Sequence, residues 1–239
     1  MTMKQTAIIV KDLVKIYKIG SERVIALANI NFTVNQGEVV CILGTSGSGK
    51  STLLNMLAGL EKPTRGNIVI DGEYIERMNE KQVTRWRQKN IGFVFQSYNL
   101  MFGLTALENV ALPLVYRGMN RRKREKLVTL MLNLVGLGKR IRHTPSQMSG
   151  GQQQRVGIAR AFVANPKIVF ADEPTGNLDT RTTKEVMELM VKLTHQYNHT
   201  LILVTHDRDI AAYADRILTI IDGKIVSDEN KNEKAQQKT

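Results

Sequence analysis

The chain has 239 residues, 42% of them hydrophobic, one cysteine and a formal net charge of +12. That length and apolar content suffice for a folded core in one large domain or two intimate subdomains, and the single Cys41 excludes an internal disulfide and a cysteine-rich metal site. No apolar run approaches bilayer length, and the stretch at residues 7–10 is too short for the core of a secretory signal, so the sequence reads as cytoplasmic.

Residues 6–43 alternate in strand fashion, with turn signals at Gly20-Ser21 and Asn35-Gln36-Gly37, and suggest an antiparallel sheet running into a glycine-rich loop. The last of these stretches, Val39-Val40-Cys41-Ile42-Leu43, is uniformly apolar and reads as a buried parallel strand, with Cys41 a buried structural thiol. A helix is expected from about Lys50, then a hairpin in which Ile68-Val69-Ile70 and Tyr74-Ile75 flank Asp71-Gly72. From about Ser97 to Pro166 the pattern is mostly helical. One helix there takes Asn120 as N-cap and Gly136 as its stop, with Leu127, Leu130, Met131, Leu134 and Val135 expected on its buried face. A second, holding Val156, Ala159, Phe162 and Val163, follows Ser149-Gly150-Gly151-Gln152 and ends at Asn165-Pro166. Residues 168–171, a helix from about Thr180 to Tyr197 bearing Val186, Leu189, Met190 and Leu193, and residues 201–204 look like a βαβ unit that extends a parallel sheet. Residues 217–221 and 224–226 close the chain as a hairpin through Asp222-Gly223, and residues 228–239, with three lysines against three acids, are expected to be a disordered polar tail.

The basic charge is concentrated. Arg117, Arg121, Arg122, Lys123, Arg124, Lys126, Lys139, Arg140 and Arg142 stand against Glu125 alone and supply +8 of the total. Such a cluster suits a solvated helix face or the anionic inner leaflet of a membrane; nucleic acid is disfavoured because no aromatic residues interleave with the charges.

Gly44-Thr45-Ser46-Gly47-Ser48-Gly49-Lys50-Ser51 fits the phosphate-binding pattern G-x-x-x-x-G-K-[ST] and lies between a strand and a helix. Its glycines let the backbone aim several N–H groups at one point, where the helix adds the positive end of its dipole. Lys50 would reach the β- and γ-phosphates of a nucleoside triphosphate, Ser51 would offer its hydroxyl to Mg²⁺, and Thr52 could hydrogen-bond the α-phosphate. Ser149 and Gln152 have the spacing of a capping box, and Gly150 and Gly151 bare the N–H groups of a helix start, which makes a second anion site. Asp172 and Glu173 follow the apolar strand at its C-terminal end, where ligands gather in α/β sheets. Asp172 suits a carboxylate holding Mg²⁺ through its water shell, and Glu173 a base for the attacking water.

These motifs, with Gln96 in Phe93-Val94-Phe95-Gln96, Gly176-Asn177-Leu178-Asp179 and Val204-Thr205-His206-Asp207, occur in the order and approximate spacing of the ABC-transporter ATPases, which the chain resembles over about residues 6–227. The resemblance implies an α/β P-loop NTPase fold of ABC type: a mainly parallel core sheet, an N-terminal antiparallel β-subdomain and an inserted helical subdomain at about 97–166. It implies a head-to-tail dimer with two Mg-ATP at the interface, each held by the phosphate loop of one copy and by Ser149, Gly151 and Gln152 of the other. Tyr17 then resembles the aromatic residue stacked on adenine, and Gln96 the residue that contacts Mg²⁺ and the attacking water while sensing a membrane partner. Asp179 resembles the acid linking the two sites, and His206 the residue that holds the γ-phosphate and positions Glu173. Met148 stands where the family commonly has leucine, a near-isosteric change expected to matter little.

Residues 171–179 and 104–114 look most like the branch that serves lipoprotein release, macrolide-type efflux, antimicrobial-peptide resistance and cell division. The implied function is ATP hydrolysis in a complex with a separate membrane permease, on the inner face of the membrane, with no nucleic acid partner. The alternative is a soluble ABC-type ATPase acting on nucleic acid or translation. It is disfavoured by the lack of a second cassette, a coiled-coil insertion or a zinc module in this sequence.

Overall fold

The computed structural model of the chain describes residues 5–231. In chain order the strands are β1 (Thr6–Ile19), β2 (Glu22–Asn35), β3 (Val39–Leu43), β4 (Arg65–Ile70), β5 (Glu73–Tyr74), β6 (Ile91–Phe95), β7 (Ile168–Asp172), β8 (Thr200–Thr205), β9 (Arg216–Ile221) and β10 (Lys224–Asn230). The helices are α1 (Lys50–Leu57), α2 (Glu80–Asn90), α3 (Ala106–Tyr116), α4 (Arg121–Leu134), α5 (Gly150–Phe162), α6 (Thr180–Gln196) and α7 (Arg208–Ala211). The described chain divides into two compact units, one up to Arg85 together with the segment from Thr200, the other Trp86–His199.

In the first unit an antiparallel sheet of order β2-β1-β4-β5 is built from strands that alternate apolar and polar residues. Ile8, Val10, Leu27, Ile30, Val34, Ile68 and Ile70 are all buried. Asp71 and Gly72 both take positive φ (52° and 80°), the primed-turn geometry that a two-residue hairpin needs. The third strand leaves this sheet. Residues 39–42 are buried throughout, which requires cover on both faces, and β3 runs parallel between β8 and β9 (Leu43 opposite Thr205 and Thr219) instead of continuing the antiparallel meander. Cys41 is buried there. β10 returns antiparallel to β9 through Asp222 and Gly223, again with positive φ (46° and 71°). The first residues of the segment expected to be a disordered tail are ordered strand: Asp228, Glu229 and Asn230 pair with Leu218, Ile217 and Arg216. Arg216 grips both oxygens of Asp228 at 2.6 and 2.5 Å, a bidentate pair that holds the strand end despite its polar sequence. Residues 232–239 lie outside the described residues.

In the second unit β6 and β7 pair in parallel, from Ile91 opposite Ile168 to Phe95 opposite Asp172, and the segment between them is helical. Local chemistry sets the helix starts. Thr105 with Glu108, and Ser149 with Gln152, form complete capping boxes; Asn120 caps α4 and Asp179 caps α6. The buried stripe of α4 differs from the expected one: Val128, Leu132 and the following Val135 are buried, whereas Leu130 and Leu134 are exposed. Residues 127–135 are apolar nearly all round, so periodicity alone offers two faces and the packing partners choose between them. In α6, Val186, Met187, Met190 and Leu193 are buried.

Part of the basic cluster is structural. Arg117, exposed as a residue, donates to the carbonyls of Gln88, Lys89 and Ala164 at 2.7, 2.9 and 2.5 Å, and partial desolvation of its guanidinium lowers its pKa. Arg124 donates to Met119 O at 2.9 Å and Arg121 pairs with Glu125 at 2.8 Å.

Candidate active site

Within the first unit, Tyr17, residues 44–52 and His206 are held around the C-terminal end of β3. The loop from Gly44 leads into α1, whose N-cap is Gly49 at φ 104° with no side-chain cap. α1 also has no acidic residue in its first turn, whereas α3, α4, α5, α6 and α7 all start on a side-chain cap. The first amides of α1 are thus left for an external anion, the arrangement that binds phosphate. Thr45, Ser46 and Gly47 are exposed on the loop, Ser51 is exposed and Thr52 half-buried. Lys50 is buried and folds its ammonium back onto Thr45 O at 2.8 Å. The buried Ser48 hydroxyl oxygen has no hydrogen-bond partner.

Tyr17 lies against this helix start. Its phenol donates to Glu61 at 2.7 Å and shares a hydrogen bond with Thr52, while Lys15 pairs with Glu61 at 2.7 Å. Burial, and then the bond to Glu61, raise the phenol pKa. Burial alone would raise Glu61, but hydrogen bonds from Lys15 and Tyr17 outweigh it and hold the carboxyl below its usual range. The ring is therefore anchored by its polar edge. His206 follows the last residue of β8, and Gly44 N donates to Thr205 O at 3.4 Å, so the histidine leaves its strand beside the start of the loop.

The second unit carries Gln96, Asp172, Glu173, residues 149–152 and Asp179. Because Phe95 pairs with Asp172, Gln96 and Glu173 emerge side by side at the ends of neighbouring parallel strands. Glu173 adopts φ 45°, a left-handed conformation worth roughly 1–2 kcal/mol of strain in a residue with a Cβ, and Gly176 N closes the turn onto Glu173 O at 3.1 Å. Asn177 donates to Gln96 O at 3.1 Å, and a methyl group on Gly176 would sit 2.6 Å from Gln96 Nε2, so the Gln96 amide packs against that loop.

Ser149 starts α5: Gln152 N donates to Ser149 Oγ at 3.4 Å and Ser149 N to Gln152 Oε1 at 3.2 Å. The Ser149 hydroxyl hydrogen remains available as a donor. Ser149, Gly151 and Gln152 open onto a cavity of about 1170 Å³ whose wall also holds Lys139, Arg140 and His143, a surface suited to an anion. Met148 is buried. Asp179 accepts from the Thr182 hydroxyl at 2.6 Å and from its N–H at 2.9 Å, and these bonds hold its carboxyl below the usual range.

Two features escape sequence reasoning. The tether of Tyr17 by Glu61 and Lys15 joins residues 44 and 46 positions apart and has no local signal. Gln154, fully buried, sends its amide nitrogen to Phe95 O at 3.3 Å and, by a very short bond, to Pro174 O, while its Oε1 has no partner. A signal for it existed: Gln154, Gly157, Ile158 and Ala161 share one helical stripe, in which a glutamine is the exception. Farther along α5, Arg160 donates to Tyr98 O and Asn99 O at 2.9 and 2.6 Å, clamping two consecutive left-handed residues (φ 59° and 47°) just after Gln96.

Among the described residues no cluster of three or more His, Cys, Asp or Glu could enclose a metal. Ser51 in the first unit and Asp172 in the second each carry an oxygen of the hard type that Mg²⁺ takes together with phosphate oxygens and water.

A family model for the ABC transporter matches residues 27–176. An uncharacterized ABC transporter ATP-binding protein of Thermotoga maritima is 50% identical over 214 residues, covering 90% of this chain and 91% of that protein. The macrolide export ATP-binding/permease protein MacB of Vibrio parahaemolyticus is 44% identical over 226 residues; the match covers 95% of this chain and 34% of MacB, so the chain spans about a third of that relative. The ATP-binding cassette MJ0796 of Methanocaldococcus jannaschii, solved as a dimer in a post-hydrolysis state bound to ADP and Pi, superposes with a TM-score of 0.86 at 42% identity, over 93% of this chain and 98% of that one.

Proposed function

The chain belongs to the ABC transporter family and is an ATPase of that family; from this premise we propose that it works as a head-to-tail dimer that closes on two Mg-ATP and drives a separate membrane permease. The observation that carries the proposal is that one chain presents two different helix starts to anions. The start of α1 is uncapped and preceded by the glycine loop; the start of α5 carries its own capping box and faces a basic cavity. A single nucleotide needs one phosphate cradle, and two cradles on one chain suit two copies sharing their ATP.

In this reading the amides of residues 44–51 and the Lys50 ammonium hold the triphosphate. Lys50 exchanges its bond to Thr45 O for the β- and γ-phosphates. Tyr17 stacks on the adenine. Ser51, Asp172 and Gln96 would hold Mg²⁺, which would supply positive charge against the phosphate oxygens. Glu173 accepts a proton from the attacking water, and His206 orients it and touches the γ-phosphate. Ser149, Gly151 and Gln152 of the partner copy contact the same γ-phosphate, and Asp179 lies between the two sites. Loss of that phosphate removes contacts that only the closed state makes, so hydrolysis opens the dimer.

Among the described residues no helix is long and apolar enough to cross a membrane. The similarity to the macrolide export ATP-binding/permease protein MacB supports a role in export, or in force transmission through a membrane partner. The basic residues unused by the fold, Arg122, Lys123 and Lys126, are all exposed along α4 and suit an anionic leaflet.

The test is Glu173→Gln, expected to bind ATP as wild type does while turnover drops by a factor of about 10² or more. With Mg-ATP it should elute as a dimer and with Mg-ADP as a monomer. Wild-type turnover in this variant would remove Glu173 from its role. Co-purification in mild detergent should recover an integral membrane partner, and recovery of RNA or ribosomes in its place would move the chain to the soluble class.

A further inference from the structure

We propose that Gln154 is a positioning residue that ties the start of α5 to both loops carrying the hydrolytic groups, and so links the two ATP sites of the dimer through the interior of each subunit. Its two amide hydrogens go to carbonyls on either side of the chemistry: Phe95 immediately precedes Gln96, and Pro174 immediately follows Glu173. Two acceptors fix which end of the amide is nitrogen.

Stability alone does not account for a glutamine here. Its Oε1 is buried without a partner, and Phe95 O already accepts from Tyr98 N at 3.3 Å. An apolar side chain of the same length would remove the stranded Oε1 but would take this donor from the buried Pro174 O, so the two effects on stability oppose each other. What the amide adds is registration: α5 cannot turn or slide without moving the backbone at Phe95 and Pro174 together. Gln154 is five residues, about 7.5 Å along the helix, from Ser149.

This inference rests on the proposed dimer. There, the start of α5 touches the γ-phosphate held by the partner, while Gln96 and Glu173 act on the ATP held by their own chain. Occupancy of one site would then set the hydrolytic loops of the other through Gln154.

The experiment compares wild type with Gln154→Met, which keeps length and loses both donors, and Gln154→Glu, which turns acceptors toward two carbonyls. Bound ATP per chain, Tm, KM, kcat and the Hill coefficient for ATP are measured. Gln154→Met should bind one ATP per chain with a KM within about twofold of wild type, and kcat should fall by about ten- to a hundredfold with the Hill coefficient moving to 1. Gln154→Glu should regain kcat as the pH falls, because a protonated carboxyl has one O–H to donate, a profile absent from wild type. That profile decides the matter if Gln154→Met does not fold. Unchanged kcat and Hill coefficient in Gln154→Met, or a loss of activity matched by an equal loss of ATP-binding chains, would overturn the inference. A wild-type protein that forms no dimer with ATP would break the functional reading instead.

Discussion

Replacing Gly49 by alanine places a methyl group 2.6 Å from Ala26 O and 2.9 Å from Leu27 Cδ2, where ordinary contact begins at 3.4 Å. Leu27 is buried and Ala26 O belongs to β2, so neither yields without moving the strand. The same change at Gly47, two residues earlier, meets nothing within 4 Å, yet φ there is also positive, 79° against 104°. Gly47→Ala thus measures backbone strain alone. A left-handed alanine costs about 1–2 kcal/mol, of which about 0.4–1 returns through the stiffer unfolded chain, leaving about 1 kcal/mol. Gly49→Ala adds overpacking of about 1–3 kcal/mol and strain at a φ outside the left-handed well, for a total of about 3 kcal/mol. Urea unfolding followed by far-ultraviolet circular dichroism should show equal slopes and a midpoint for Gly49→Ala about 1 M below that of Gly47→Ala. ATP affinity should fall further in Gly49→Ala, because the methyl group tilts the uncapped start of α1. Equal midpoints for the two variants would refute the argument that β2 clamps the loop from behind.

Tyr17→Phe removes the bond to Glu61 and should cost about 1 kcal/mol of stability while leaving ATP affinity within about twofold; Tyr17→Ala should weaken ATP binding several-fold more. Equal ATP affinities for the two would take adenine off the ring. His199 is buried against Phe162, with ring centroids 5.3 Å apart, and burial lowers its pKa from 6.5. Between the folded value and pH 6.5 the unfolded chain binds the extra proton, so this contribution to stability is complete above about pH 6.5 and is lost as the pH falls through the depressed folded value. The Tm of wild type should therefore drop more than that of His199→Phe between pH 7.5 and 5.5, and parallel curves would contradict the assignment.

Where the determining chemistry is local, the sequence announces it. Asp71-Gly72 and Asp222-Gly223 demand primed turns wherever they fall, and Ser149 with Gln152 closes a capping box using four residues. The strand-loop-helix at residues 39–57 was legible for the same reason. What was not legible depends on neighbours distant in sequence. β3 pairs with β8 and β9, more than 150 residues away, although it directly follows an antiparallel hairpin. The buried face of α4 is chosen from two apolar stripes by whatever packs on it, and the end of β10 persists because Arg216 reaches Asp228. Gln154 was readable as an oddity in a buried stripe, but its partners at Phe95 and Pro174 lie 59 and 20 residues away.

The central claim is that each ATP site is completed by a second copy, and mixing two inactive variants tests it most directly. Lys50→Ala disables the phosphate loop and leaves the start of α5 intact; Ser149→Arg does the reverse. Each alone should hydrolyse almost no ATP. Mixed in equal amounts, half of the dimers pair one of each and hold one complete site of two, so activity should rise clearly above that of either component, to at most about a quarter of wild type. A mixture as inactive as its components, from proteins that each retain their fold, would contradict the shared site.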